Sequence, residues 1–237
     1  MEWDKIWAYN KEAIDPTAAR YTAIVKETSA TIIVTNGPDT LTTEDHPLHQ
    51  KNETLGVKSI IYGKELLVEE GDAQDIEVGE KVTLMKWGNC TISKKDVDAT
   101  GKITLTGTID IEDKDYKKTK KITWIANDPA SVFDITLVEL DHIITKKKVE
   151  DDESVKDIVN MNSRISYTAI AEGNLKQAKR GSIIQLERRG YFFVDKIAEG
   201  ANLMTLNFIP DGKTTNMSKI KSKLDQKEVS GGKVTDA

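Results

Sequence analysis

The sequence lacks several features that mark particular classes of protein. It has one cysteine, Cys90, among 237 residues, so no intramolecular disulfide can form, which fits a reducing compartment. No apolar run approaches the roughly 18 residues that a membrane-spanning helix needs. The start, MEWDKIWAYNK, carries acids and lacks the apolar core of a signal peptide. We therefore expect a cytoplasmic protein that is neither secreted nor embedded in a membrane.

Catalytic and metal-binding patterns are also scarce. The three histidines are His46, His49 and His142, and the pair spaced three apart has no cysteine or carboxylate pair beside it, which argues against zinc. No glycine-rich phosphate loop or nucleophile elbow is present. Cys90 follows a predicted turn with no histidine marked as its base, which favours a buried structural thiol. We expect no catalytic residue and no metal site.

Positive charge is in deficit, since the formal net charge is -5. This balance argues against a globally basic nucleic-acid-binding surface, although it leaves the distribution of charge open. Acids crowd residues 65–80 and 150–157, whereas lysines cluster at 117–121 and 146–148. A single lysine run is well explained as a solvated loop that keeps strand edges from pairing. Several runs on one face would favour binding to phosphate.

The pattern of apolar residues predicts an all-β protein with one short helix. Trp3, Ile6 and Trp7 have helical spacing, and Pro16 ends the helix because it disfavours helical backbone at Asp15. Short segments rich in β-branched residues follow, separated by turn residues at the spacing of a barrel or sandwich. Two β units meet near residue 120, where charge is densest. No internal repeat is convincing, and residues 213–237 have the composition of a disordered tail.

One predicted hairpin, IIQLERRGYFFVD, carries unusual polar residues at its tip. Arg188 and Arg189 precede Gly190, which we expect to supply the positive φ of a three-residue loop. Gln185 stands in the first strand. Since arginine is common at solvated tips, the residues alone leave open whether these side chains bind anything.

Five segments carry a resemblance to a known family. They are MEWDKIWAYNKEAIDPTAARYTAI (1–24), HPLHQKNETLGVKSIIYGKELLVEEGDAQDIEVGEKVTLMKWGN (46–89), DYKKTKKITWIA (115–126), LDHIITKKKVEDDE (140–153) and GSIIQLERRGYFFVD (181–195). In order and spacing they resemble the anticodon-binding region of eukaryotic-type glutamyl-tRNA synthetases, over nearly residues 1–212. The glutaminyl enzymes share the layout, but WDKIWAYNK and YKKTKKITW are similar to the glutamyl branch.

The resemblance implies two β-barrels with a short N-terminal helix. Residues 1–14 would be a linker helix, 15–20 and 121–212 a proximal barrel, and 21–120 a distal barrel inserted into it. The family's catalytic domain, which uses ATP and magnesium to attach glutamate to tRNA-Glu, would precede this chain. We therefore expect a tRNA-binding module that needs no cofactor and has no catalytic activity alone.

The resemblance also implies a site. The glutamine and first arginine of Q-x-E-R contact the central anticodon uridine in the family, and these positions are Gln185 and Arg188. Arg189 would contact a phosphate or be solvated, and Asn89 coincides with an asparagine beside an anticodon-binding position of the glutaminyl relatives. Further candidates, by polarity and motif position, are Asn10, Lys11, Arg20 and Lys86.

Two alternatives to this function stay open. A glutaminyl-tRNA synthetase domain would prefer tRNA-Gln over tRNA-Glu. A protein-interaction barrel, which would join other synthetases or a multi-synthetase complex, would need an exposed apolar patch and would bind insensitively to salt. Neither leading function nor alternatives involve DNA or a membrane.

Overall fold

The fold begins with a helix that stops where the sequence predicts. A computed structural model describes residues 3–145, 151 and 154–211, so the lysines at 146–148 and the predicted tail at 213–237 lie outside the described residues. Helix α1 spans Trp3–Ile14, and Pro16 lies in the 3-10 turn that follows. Thr17 Oγ1 and the Ala18 amide both donate to the Ile14 carbonyl, which caps the helix end.

Most of the remaining chain is β-strand. The strands are β1 (Ala19–Tyr21), β2 (Ala23–Val25), β3 (Ser29–Val34), β4 (Thr42–Pro47), β5 (Val57–Tyr62), β6 (Glu65–Glu69), β7 (Lys81–Leu84), β8 (Gly88–Val97), β9 (Ile103–Asp110), β10 (Lys120–Ile122), β11 (Trp124–Ala126), β12 (Val132–Leu140), β13 (Arg164–Glu172), β14 (Ile183–Leu186), β15 (Gly190–Lys196) and β16 (Met204–Ile209). The short helices are α2 (Glu70–Asp75), α3 (Val155–Ile158) and 3-10 turns at Asp15–Thr17, Glu53–Leu55 and Gly173–Gln177. Within the described residues no helix is long and apolar enough to cross a membrane.

The strands form two nearly closed seven-stranded barrels, which confirms the predicted fold class. The proximal barrel has the order β1-β14-β15-β16-β12-β13-β2, and the distal barrel has the order β10-β7-β8-β9-β3-β6-β11. Strands β4 and β5 form a separate hairpin within the distal half. The sequence does not predict β4, because its residues TTEDHP are polar and exposed.

Each barrel is closed by one chain segment that bends at a threonine. In the proximal barrel β1 runs parallel to β14, the chain bends at Thr22, and β2 continues antiparallel to β13. In the distal barrel β10 runs parallel to β7, the chain bends at Thr123, and β11 continues antiparallel to β6. Both threonines are buried. A single bent segment thus pairs with both edges of its sheet and leaves little edge exposed.

The two barrels are the same five-stranded unit with the closing segment at opposite ends of the chain. In the proximal barrel the closing segment precedes the five strands, whereas in the distal barrel it follows them. The equivalence extends to single residues, since Leu84 pairs with Gly88 as Leu186 pairs with Gly190. The next strand pairings, β8 with β9 and β15 with β16, each contain a register shift at the equivalent place, between Ile92 and Lys94 and between Val194 and Lys196. The structure therefore contains a circularly permuted repeat that the sequence does not reveal.

The sheets divide the chain at other residues than the sequence suggests. The sequence predicts divisions between 20 and 21 and between 120 and 121, but β2 belongs to the proximal sheet and β10 and β11 to the distal sheet. The reason is the closing segment, because both of its halves stay with one barrel. Dense charge near residue 120 marks a loop, not the crossing between barrels.

An apolar seam joins the barrels. Ile24, Leu67 and Ile125 are buried together, with Val132 and Ile170 packed against them. By strand register Ile24 occupies in the proximal barrel the place that Ile125 occupies in the distal one. The two barrels thus meet through equivalent faces, much as subunits do in a twofold dimer.

We predict that Ile24→Ala destabilises the whole chain, because it opens a cavity in this seam. The expected loss is about 2–5 kcal/mol in the free energy of unfolding, measured by urea denaturation. Val97→Ala removes a similar group from an exposed position and should cost less than about 0.5 kcal/mol. Equal losses for the two variants would show that the seam contributes little.

Candidate nucleic-acid interface

The hairpin between β14 and β15 brings its tip to the seam between the barrels. The Arg189 amide donates to the Leu186 carbonyl at 3.0 Å, which closes the three-residue loop. Gly190 has φ 133°, as expected, but Arg188 also has a positive φ of 63°. A side chain larger than glycine adopts this left-handed backbone rarely, so the hairpin holds Arg188 in a restricted orientation.

Arg188 reaches across the seam to the distal half. Its two terminal nitrogens bind the two carboxylate oxygens of Asp72 in α2, and the Nη2–Oδ1 distance is 2.8 Å. The guanidinium side chain remains 40% exposed, whereas Asp72 is 18% exposed. Arg188 therefore combines a fixed position with N–H donors that still face solvent.

Arg189 is built into the structure instead. Its guanidinium binds Glu69 and donates to the Tyr167 hydroxyl at 3.3 Å, and the Tyr167 hydroxyl in turn donates to Glu139. Only 21% of the side chain is exposed. Neither of the roles that the sequence suggests for Arg189, a phosphate contact or plain solvation, matches this environment.

Lys86 belongs to a buried cluster of four charges at the seam. Its ammonium lies 2.7 and 2.9 Å from the two carboxylate oxygens of Glu187, and Lys58 pairs with Glu172 beside them. Burial lowers the pKa of Lys86, and the neighbouring Lys58 adds to this effect. Burial alone would raise the pKa of Glu187, but Lys58 and Lys86 together hold it below its ordinary value. Lys86 thus stabilises the seam and is not free to contact a phosphate.

The strand ahead of the tip carries Gln185 on the outer face of the proximal barrel. Gln185 is half-buried, and its amide makes no hydrogen bond to any described residue. Arg20 lies opposite it in the β1–β14 register, 3.3 Å from Asp15, with a buried Nε that also has no partner in the described structure. Gln185 therefore has unused hydrogen-bonding capacity, whereas the unpartnered Nε of Arg20 is buried and only 23% of the Arg20 side chain is exposed.

Asp15 holds Arg20 in place, and His49 binds the backbone of Asp15. The Lys51 amide donates to His49 Nδ1 at 3.1 Å, so Nε2 carries the proton and donates to the Asp15 carbonyl at 3.0 Å. The contact of Arg20 with His49 Nε2 then joins two donors and is not a hydrogen bond. Tyr191 also donates to Asp15, which fixes the carboxylate that Arg20 contacts.

Asn89 is buried in the distal barrel and has a structural environment. Its Oδ1 accepts a hydrogen bond from Thr83, and its Nδ2 donates to the carbonyls of Asp113 and Asp115. With 1% of the residue exposed, no polar atom of Asn89 is open to a base in this structure. Its contacts hold the loop that leads to the lysine run at 117–121.

The remaining candidates lie on α1, away from the tip. Asn10 is exposed, and Lys11 lies 3.6 Å from Asp211. On β15, Tyr191 is buried with Ile14 and Ala18, whereas Phe193, two residues along the same strand, is 38% exposed.

A partly open cleft lies between the barrels beside the tip. It is lined by the four residues of the charge cluster, Lys58, Lys86, Glu172 and Glu187, and by residues of both halves such as Thr22 and Trp124. The sequence indicates none of Lys58, Glu69, Asp72 and Glu172 as site residues, because each acquires its role only from a partner in the other barrel. In the described residues no group of three histidine, cysteine or acidic side chains could hold a metal ion.

Comparison with known protein families shows the family to which this chain belongs. Residues 18–112 match one model of the anticodon-binding domain of the class I tRNA synthetases for glutamate and glutamine, and residues 121–195 match a second. The chain belongs to this family. The first match covers most of the distal barrel together with β1 and β2 of the proximal barrel, and the second covers β11 of the distal barrel and the proximal strands from β12 to β15.

Several relatives of the anticodon-binding domain carry the name of a glutamate enzyme. The chain is 40% identical over 94% of its length to a probable cytoplasmic glutamate–tRNA ligase of Schizosaccharomyces pombe, and 42% identical over 91% to the cytoplasmic enzyme of Saccharomyces cerevisiae. It is 37% identical over 97% of its length to the bifunctional glutamate/proline–tRNA ligase of Mus musculus. The chain spans 31%, 30% and 16% of these three relatives.

We predict that Lys58→Met destabilises the anticodon-binding domain by about 3–5 kcal/mol, because Glu172 is then buried without its cation. Adding Glu172→Gln should recover a large part of this loss. The measurement is a double-mutant cycle on the free energy of unfolding. Additive losses would mean that the two side chains do not interact.

The Glu187 pKa predicts how stability depends on pH. Because its pKa is lower in the folded state than in the unfolded state, ionised Glu187 stabilises the fold above the unfolded pKa of about 4.3, and this contribution is lost as the pH falls through the folded pKa. Wild type should therefore exceed Glu187→Gln in stability at pH 7, and the difference should narrow below about pH 4.5. Urea denaturation at several pH values measures it, and a difference independent of pH would contradict the prediction.

Proposed function

We propose that this domain recognises the anticodon of tRNA-Glu as part of a glutamate–tRNA ligase. The observation that carries the proposal is the tip hairpin, where Gln185 and Arg188 keep hydrogen-bonding groups open beside a cleft between two barrels. Unstacked anticodon bases expose their edges and faces to such groups. The names of the relatives support glutamate over glutamine.

The roles of the candidate residues follow from which donors are engaged. Arg188 and Gln185 contact the edge of the central uridine. Arg20, which pairs with Gln185 across the β1–β14 register, and the exposed Asn10 on α1 are candidates for contact with other parts of the anticodon loop. Lys86 and Asn89 shape the seam and the loops instead, because their side-chain polar atoms are bound to protein partners. Arg189 does the same, because its terminal nitrogens bind Tyr167 and Glu69 and its unpaired Nε is buried. In this proposal the attachment of glutamate, with ATP and magnesium, occurs in a catalytic domain outside this chain.

The bifunctional relatives support a second proposal about partners. By its name, the Mus musculus relative is a bifunctional glutamate/proline–tRNA ligase. The excursion between β12 and β13 exposes apolar side chains, among them Ile143 and Met161, which the Asn160–Ile143 hydrogen bond brings near each other. Such a surface suits contact with another synthetase.

We also propose that the protein is located in the cytoplasm, because the names of two relatives describe them as cytoplasmic.

We predict that Arg188→Ala impairs discrimination between bases, whereas Arg189→Ala lowers the stability of the domain. Loss of a base-reading arginine costs about 1–3 kcal/mol of discrimination, so the affinity ratio between stem-loops with central uridine and cytidine should fall about fivefold or more. Arg189→Ala, on the same tip, should instead lower the melting temperature and leave the ratio near that of wild type. Fluorescence titration of anticodon stem-loops measures both.

Two further comparisons test the assignment of the RNA. Stem-loops of tRNA-Glu and tRNA-Gln share the central uridine, so preference for the glutamate stem-loop must come from the third base. Equal binding of both would favour a shared domain function without glutamate specificity. If Arg188→Ala leaves the uridine-to-cytidine ratio unchanged at a normal melting temperature, Arg188 has no role in reading the base.

A further inference from the structure

The pairing of Arg188 with Asp72 leaves part of the guanidinium free. Each terminal nitrogen donates one N–H to the carboxylate, and a guanidinium has five such donors. Three N–H groups therefore remain, on an arginine that is more exposed than its acidic partner. Asp72 is the more buried partner, so the exposed part of the pair belongs to Arg188.

The backbone on both sides of the seam holds Arg188 and Asp72 together. Arg188 sits at a left-handed position of a closed three-residue loop, and its neighbour Arg189 is bound to Glu69. Glu69 ends β6 and Asp72 lies in α2 directly after it, so one short acidic segment of the distal half holds both tip arginines. The position of the Arg188 side chain is thus set by two contacts across the seam.

Neutralisation changes what Arg188 attracts. An isolated arginine at a tip binds any phosphate, which adds affinity without sequence information. A bound carboxylate cancels this charge locally and repels phosphate oxygens, but it does not remove the remaining donors. Those donors can still bind neutral acceptors such as the carbonyl oxygens of uracil.

From this geometry we propose that Asp72 is a positioning residue for anticodon reading, which holds Arg188 and prevents it from binding phosphate in place of a base edge. The proposal rests on the proposed function, since it requires Arg188 to read the central base. Asp72 itself contacts no RNA. Its contribution is to discrimination, and it acts against overall affinity.

The test is Asp72→Asn, which removes the charge with little change in shape. The affinity of the 237-residue chain for a stem-loop with central cytidine should rise, because Arg188 becomes an unpaired cation. The plot of log affinity against log salt concentration should steepen by about 0.7, as for one added phosphate contact on a single strand. The uridine-to-cytidine ratio should fall about fivefold or more, as for a lost base contact.

Two variants control for charge and for structure. Asp75→Asn makes the same charge change at the end of the same helix, where the carboxylate has no ion pair among the described residues, and should leave the ratio and the salt slope unchanged. Asp72→Glu keeps a carboxylate and should keep the salt slope of wild type, with a partial loss of the ratio because the longer side chain moves the guanidinium.

The outcomes separate this proposal from the proposed function. Wild type that does not discriminate uridine from cytidine, or a ratio unaffected by Arg188→Ala, refutes base reading by Arg188 and the role of Asp72 with it. If Arg188→Ala abolishes the ratio but Asp72→Asn weakens both RNAs equally with an unchanged salt slope, Asp72 is only a structural clamp. If Asp72→Asn raises the affinity for the stem-loop with central uridine and leaves the uridine-to-cytidine ratio unchanged, Asp72 only competes with RNA for Arg188. Either of these last two results overturns the proposal while base reading by Arg188 stands.

Discussion

Ion pairs across the seam between the barrels determine where every tip residue lies. Lys58 and Lys86 of the distal half meet Glu172 and Glu187 of the proximal barrel, and Arg188 and Arg189 of the proximal barrel meet acids of the distal half. Sliding one barrel along the other would separate buried charges from their partners, and an unpaired buried charge destabilises the fold. Because both barrels supply both signs, one relative orientation satisfies all four pairs. The position of the tip is therefore a property of the pair of barrels and not of either one.

The permuted repeat explains how one hairpin design supports two different roles. The distal tip Met85–Trp87 and the proximal tip 187–189 occupy the same place in their barrels, and Lys86 and Arg188 share the left-handed backbone. Lys86 points into the seam and meets Glu187, whereas Arg188 meets Asp72 at the rim and stays exposed. The difference arises from where the partner acid stands. An asymmetric function has thus developed on two equivalent scaffolds.

An acidic net charge is compatible with the proposed RNA recognition, because the proposal requires only a few open donors. Most cations at the seam are paired, so the surface offers little sequence-independent attraction to phosphate. The donors that remain open, at Gln185 and the exposed part of Arg188, are of the kind that binds base edges. In the proposed interface the acids contribute to recognition, because they determine which donors an RNA can reach.

The local sequence determined the strands, the helix end at Pro16, the all-β class and the hairpin with Gln185 and Arg188, because alternation, proline geometry and turn residues act over a few positions. Its motifs also indicated the family. Only the tertiary structure decided which polar residues are available: Asn89 and Lys86 look as polar in sequence as Gln185, yet they are bound to residues 24 and 101 positions away. Asp72 lies 116 positions from Arg188, and no local pattern connects them. The repeat stayed hidden for the same reason, since strand register constrains position in the sheet and leaves most side chains free to differ.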